Sequence, residues 1–359
     1  MAAALEYIDH RRDPAAWAAQ LGISREAVEL YLASDVIDLH LDTFIWNRIF
    51  RYDLKKRHGG GLFGWRFYSQ VDLPRIREAR ITGAIWVITT NPLRTAPGRA
   101  RAFGTNLDKL TRILSSVPGD VALVKTTAEY EAAARAGKHA AFIGIQGGNA
   151  LDAPGAVETL DDRIVRVTLV HLSKSSLGQT SSPLGGKEDT GLTRAGRHYV
   201  EVLDQKRIFV DLAHISKRGF ADAVAAHDRS LPLIVTHTGV SGVHEHWRNL
   251  DDGQLRAIAD TGGTIGVMYE SGFLGPGSRQ NAKTEWVADH LMHIVKTVGE
   301  DHASLGSDWD GAIVPPRGLT TPLALPRVVD LLLKRGLSTD GVQKVLAKNF
   351  LRSLKHLRG

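Results

Sequence analysis

Short apolar runs recur along the chain at 35–40, 81–88, 140–145, 165–170, 208–212, 233–236, 264–268 and 303–306, mostly bounded by Gly, Pro, Asp or Asn. Runs of that length, rich in β-branched residues, read as buried strands. Helical spacing of apolar positions separates most of them, at 107–115, 194–205, 219–226, 251–260, 286–298 and 323–334. Eight strands alternating with helices predict an α/β fold built on a parallel sheet. An open doubly wound sheet competes with a (β/α)8 barrel of the TIM type, but an open sheet gathers its chemistry at one switch point. Here isolated polar residues close six separate runs: His40 with Asp42, Gln146, His171, His214, His237 and Asp308. Only a closed barrel brings so many strand ends to one face. Ahead of the first run, 14–21 and 25–33 read as two short helices, with Ser24 as the N-cap of the second. The expected organisation is therefore an N-terminal helical extension over 1–34 and a single barrel domain over 35–359. The stretch 43–71 shows no clear periodicity and reads as a long loop on the same face as the polar strand ends.

Composition narrows the picture. With 359 residues the chain accommodates one barrel of ~250 residues plus insertions. Its 43% hydrophobic and 23% charged residues are those of an ordinary globular protein. The net charge of +6 comes with no nucleic-acid-binding motif, so it reads as a basic surface and not as a nucleic-acid site. There is no cysteine, so disulfides and thiolate chemistry are excluded and any zinc must be held by imidazole and carboxylate. No basic segment followed by an apolar one opens the chain, and no apolar stretch reaches the ~20 residues of a membrane span. The expectation is a cytoplasmic protein that binds no membrane.

The polar strand ends suggest metal chemistry. Side chains two apart on a strand share a face, so His40 and Asp42 can approach one cation. That pair alone is a weak signal. His214 and His237, each following a β-rich run, strengthen it, and a nitrogen and oxygen donor set favours zinc. Asp211 and Asp310 are candidates for supporting an imidazole or Asp308 from behind. Tyr269 and Glu270 follow the seventh run and are expected to face the pocket, with Tyr269 a candidate substrate contact. His244-Glu245-His246 reads as a solvated loop, and His290 and His293 as residues of an outer helix.

The order of motifs resembles the membrane (renal) dipeptidases, a binuclear zinc branch of the amidohydrolase superfamily. The resemblance spans about 35–355. It is carried by Asp38-Leu39-His40-Leu41-Asp42 with Trp46, Gly144-Ile145-Gln146-Gly147-Gly148, Thr168-Leu169-Val170-His171, Val210-Asp211-Leu212-Ala213-His214 and Thr236-His237. Its most specific parts are Trp247-Arg248-Asn249-Leu250 and Leu305-Gly306-Ser307-Asp308-Trp309-Asp310-Gly311. Asn349-Phe350-Leu351-Arg352 looks like the family's closing helix. The resemblance implies hydrolysis of a small dipeptide or dipeptide-like amide by metal-activated hydroxide, with one or two zinc ions per chain and a possible homodimer. It implies that His40 and Asp42 hold one ion and His214 and His237 the other. Arg248 then takes the substrate carboxylate, His171 the oxyanion, and Asp308 the proton.

One position departs from the pattern. Gln146 stands where the family has the glutamate that bridges both metals. Two dications ~3.5 Å apart repel by on the order of 20 kcal/mol even at an effective dielectric of ~20, and bridging anions make such a pair tolerable. A glutamine offers one carbonyl oxygen, and its amide nitrogen is a donor. The expectation is weaker binding at one site or its loss. A single retained ion still supports hydrolysis. A mononuclear enzyme of other specificity, and a non-catalytic descendant serving as a binding module, stay open.

Overall fold

The computed structural model describes residues 5–61, 63–91, 93–173, 175–186, 188–277 and 279–359, so the first four residues of the expected N-terminal extension lie outside it. Its strands are β1 (Ile37–Leu41), β2 (Gly83–Thr89), β3 (Val121–Leu123), β4 (His139–Gln146), β5 (Ile164–Thr168), β6 (Phe209–Asp211), β7 (Ile234–Thr238), β8 (Thr264–Val267) and β9 (Ala303–Leu305). Every pairing is parallel. The order β2-β1-β9-β8-β7-β6-β5-β4 closes on itself through β2 and β4, giving the eight-stranded α/β barrel.

The ninth strand is absent from the sequence expectation. β3 has only three residues and no periodicity to betray it. It pairs with the start of β4 from His139 to Ala141, and β5 takes over the same edge from Ile143 onward.

Helices also appear beyond the expected ones. Ala96–Ser115 starts well before 107, because Thr95 caps it and Pro97 occupies its first turn, where a missing N–H costs nothing. Its Gly98 and Gly104 weaken the helical signal. The loop 43–71 opens with a helix, Phe44–Phe50, and Thr127–Arg135 and Thr339–Gln343 are further additions. The N-terminal helices Pro14–Leu21 and Arg25–Ala33 lie where the sequence places them, and Ser24 Oγ both caps Ala27 N and donates to Asp330 at 2.8 Å.

Facing residues fill the barrel in layers. Ile37, Leu39, Ile85, Val87, Phe142, Phe209 and Ile234 form one buried cluster with Phe350 and Leu354 of the closing helix, Asn349–Arg358. Phe350 lies 5.5 Å from Phe142 and 5.9 Å from Phe209, ring to ring, and so plugs one end of the barrel. The polar strand-end residues lie at the other end. Among the described residues no helix is long and apolar enough to cross a membrane.

Candidate metal and active site

The carboxyl ends of the strands deliver the polar residues to one place. β1 breaks register between Asp38 and Leu41, with His40 inside that break and Asp42 just after it. His40 Nε2 lies 3.3 Å from Asp42 Oδ2 and 3.6 Å from Asp308 Oδ1. His40, His237 and Asp308 place donor atoms within 4.8 Å of one another, the metal-sized cluster among the described residues. His214 (φ 65°) and Asp308 (φ 61°) both hold left-handed backbone, a conformation that costs a non-glycine residue energy and that clusters at functional sites.

Tautomers can be read from the hydrogen bonds. Thr236 Oγ1 donates to Asp211 Oδ2 at 2.7 Å, so it accepts from His237 Nδ1 at 2.9 Å. The proton of neutral His237 is thus on Nδ1, leaving the Nε2 lone pair free. That lone pair points at His214 Nε2, 2.8 Å away. Burial above all holds both imidazoles well below their ordinary pKa, so both are neutral at pH 7. Two neutral imidazole nitrogens converging in a buried site, backed by a hydroxyl and a carboxylate, fit a divalent ion.

The first-strand side of the site is different. The Gln146 amide satisfies its neighbours with Nε2 3.0 Å from both Asp42 oxygens and from Thr89 Oγ1, and with Oε1 accepting from His171 Nε2 at 3.1 Å. Thr89 Oγ1 donates to Asp42 Oδ1 at 2.9 Å. Burial pushes the Asp42 carboxyl up, but the bond from His40 and the neighbouring charges hold it below its usual value. Asp42 is therefore an ionised carboxylate already surrounded by protein donors.

Below His40 lies a group that the sequence expectation does not include. Arg166 is fully buried on β5, and its Nη2 donates to His40 Nδ1 at 2.5 Å. Its Nη1 pairs with Asp211 Oδ2 at 3.1 Å and donates to Ile145 O at 3.0 Å and to the Thr168 hydroxyl. Room for the guanidinium comes from Gly144, where a Cβ would stand 2.8 Å from Arg166 Nε. A charged residue inside a run of Val and Ile is the available signal.

The remaining expected residues divide. His171 is half-buried beside His214, with ring centroids 4.7 Å apart, and burial pushes its pKa down to about 4. Arg248 is buried and donates to His237 O at 2.6 Å, while its Nε has no partner among the described residues. Asp308 N bonds His40 O at 3.2 Å. Burial, with the charge of Asp42 next, raises the Asp308 carboxyl well above its ordinary range.

Tyr269 departs from its expected place. It has no exposed surface and packs 5.1 Å from the Trp309 ring, in the hydrophobic core. Hydrophobic burial of the ring outweighs the pull of its one hydroxyl. Asp310 also departs, since it binds no site imidazole. It accepts from Thr43 Oγ1 at 2.7 Å, Gln70 N at 2.8 Å and Val71 N at 3.2 Å, and so fastens the 43–71 segment to the barrel. Asp211 supports the site through Thr236 and Arg166. His246 stacks on Phe273 at 4.4 Å and its Nδ1 accepts from Arg248 N at 3.2 Å, lining a cavity with His214 and Arg248, whereas His290 bonds Val240 N and Leu274 O away from the site.

The family profile described as membrane dipeptidase (peptidase family M19) matches residues 24–358. The chain belongs to the membrane dipeptidase family. A relative within reach of sequence comparison is Dipeptidase ataJ of Aspergillus terreus, 27% identical over 80% of this chain and 77% of its own. The crystal structure of dipeptidase AC, a metallopeptidase, superposes with a TM-score of 0.78 at 25% identity, covering 90% of this chain and 98% of that one. A metallopeptidase from Rhodobacter sphaeroides, solved with a phosphinate mimic of the dipeptide L-Ala-D-Ala, has the same fold: TM-score 0.75, 24% identity, 90% and 99% coverage. As a membrane dipeptidase family member, the chain is a dipeptidase-like metallohydrolase.

Proposed function

We propose that the chain cleaves the amide bond of a small dipeptide or dipeptide-like molecule carrying a free carboxylate, using zinc held by His214 and His237. The observation that carries this reading is the approach of the two imidazole Nε2 atoms to 2.8 Å, with His237 backed by Thr236 and Asp211. When bound, such an ion lowers the pKa of water to ~7 and polarises a carbonyl.

The chain's own residues supply the rest. Arg248 anchors the substrate carboxylate, its Nε being a donor without a partner among the described residues. Asp308 takes the proton from water and returns it to the leaving amine, a role suited to a carboxyl with a raised pKa. His171, neutral at pH 7, carries its proton on Nε2 because Gln146 Oε1 accepts it, and that one N–H turns from Gln146 to the developing oxyanion as charge builds there. Gln146 thus orients His171. The dipeptide-mimic complex of the Rhodobacter sphaeroides relative supports a dipeptide-sized ligand.

The test is turnover of a panel of L,L- and L,D-dipeptides by the zinc-loaded chain, with Arg248→Met and dipeptide amides as controls. Hydrolysis of free dipeptides, reduced when either carboxylate or Arg248 is removed, supports the reading. Equal turnover of dipeptides and their amides would overturn the role of Arg248, and no turnover of any amide with zinc bound would overturn the function.

A further inference from the structure

We propose that Arg166 is a resident cation that, from the Nδ1 side of His40, keeps a second metal off its Nε2 side, so that His40 and Asp42 act as a hydrogen-bonded pair and the centre holds one divalent ion. This rests on the metallohydrolase reading above and goes further, because it assigns the first-strand pair a role other than metal binding.

The argument is one of donors and acceptors. A guanidinium has five N–H donors and no acceptor. With Arg166 Nη2 against His40 Nδ1, that nitrogen must accept, so the proton of the neutral imidazole sits on Nε2. His40 Nε2 is then a donor, and it faces an acceptor that suits it, Asp42 Oδ2 at 3.3 Å, with Asp308 Oδ1 3.6 Å away. A metal on His40 Nε2 would require the opposite tautomer and would set Nδ1–H against the guanidinium. His237 shows the contrast, since its Nδ1–H is given to Thr236 and its Nε2 is left free.

Asp42 is closed off in the same way. His40, Thr89 and Gln146 all donate to it, and Gln146 lacks the charge to bridge two ions. Arg166 cannot swing away from His40 Nδ1. It is fully buried, tied to Asp211, Ile145 O and Thr168, and held over Gly144 on the neighbouring strand. The two unusual residues act together: Gln146 removes an anion from the site and Arg166 adds a fixed cation beneath it.

The experiment measures zinc content of the full chain after equilibration with zinc chloride and gel filtration, alongside long-range 1H–15N spectra of the 15N-histidine-labelled protein. His40 is assigned by its loss in His40→Gln. One zinc per chain, with His40 keeping its proton on Nε2 in both zinc-free and zinc-loaded protein, supports the proposal. Gln146→Glu alone should stay at one zinc, and Arg166→Gln combined with Gln146→Glu should rise to two.

Two zinc ions in the wild type, or His40 protonated on Nδ1, overturns the proposal and leaves the metallohydrolase reading standing. No zinc at all overturns both. A double variant that folds yet still holds one ion overturns the part assigned to Arg166. Should that variant not fold, the wild-type zinc count and His40 tautomer decide.

Discussion

His214 Nε2 and His237 Nε2 stand 2.8 Å apart although they come from different strand ends. Without an ion between them, one nitrogen must donate to the other, and His214 Nδ1 is buried with no partner among the described residues. Stripping the metal with a chelator is therefore expected to lower Tm, and zinc should restore it. A ligand at 1,000 times its Kd adds about 4 kcal/mol. His214→Ala should abolish that zinc-dependent gain and weaken zinc affinity by more than about 100-fold, beyond what loss of a supporting residue costs. Differential scanning calorimetry with and without zinc checks both.

Gln146→Glu brings a carboxyl to about the 3.0 Å that now separates the amide nitrogen from Asp42. Like charges at that distance do not both ionise, so the introduced carboxyl is held protonated to higher pH than in the unfolded chain. A raised folded-state pKa gives stability that is present at low pH and lost as pH rises through it. The zinc-free variant should match the wild type near pH 4 and fall progressively behind it toward pH 8. Parallel Tm–pH profiles for the two proteins would contradict this.

Asp308→Asn removes the only carboxyl assigned to proton transfer, and loss of such a group costs roughly 10²–10⁴-fold in rate. Burial and the charge of Asp42 already disfavour the ionised Asp308. The neutral amide should therefore leave the zinc-free protein as stable as the wild type or more so. The pairing of low kcat with an undiminished Tm separates a chemical role from a structural one.

His139 lies in the barrel wall, far along β4 from Gln146. Its Nδ1 donates to Ile81 O at 2.8 Å and its Nε2 accepts the Trp86 indole N–H at 3.0 Å, which only the neutral ring can do. Burial pushes its pKa, like that of His290, down to about 4 from 6.5. A depressed histidine pKa means that the unfolded chain takes up protons first as pH falls. Stability is thus full above about pH 6.5 and declines toward pH 4, by on the order of 3 kcal/mol for His139. Urea unfolding across that window should show the loss, with a shallower slope in His139→Gln.

The residues that close apolar runs are legible because a strand end is marked by the change from β-branched to polar. His40, Asp42, Gln146, His171, His214, His237 and Asp308 all announce themselves in that way. Arg166 and Thr89 do not. Arg166 sits within the run Val165 to Val170, and nothing local says that Gly144 on another strand leaves a hollow for it. Tyr269 has the right position after a strand, but whether a ring there turns to the pocket or to Trp309 depends on packing between distant segments. β3 is too short to show a period, and Ala96–Ser115 carries glycines that hide its first turns.

β4 is the one strand of the described residues with three pairing partners, β2 along its whole length from Ala140, β3 at its start and β5 at its end. Gln146 is its last residue, held in register with Thr89 on one side and Thr168 on the other. The backbone there has no freedom to drift toward or away from the site. A change of side chain at 146 is consequently felt as chemistry alone: amide or carboxylate, donor or anion, at a fixed distance from Asp42 and His171. That makes the position one half of a selector, which together with Arg166 sets how much positive charge the barrel mouth will accept.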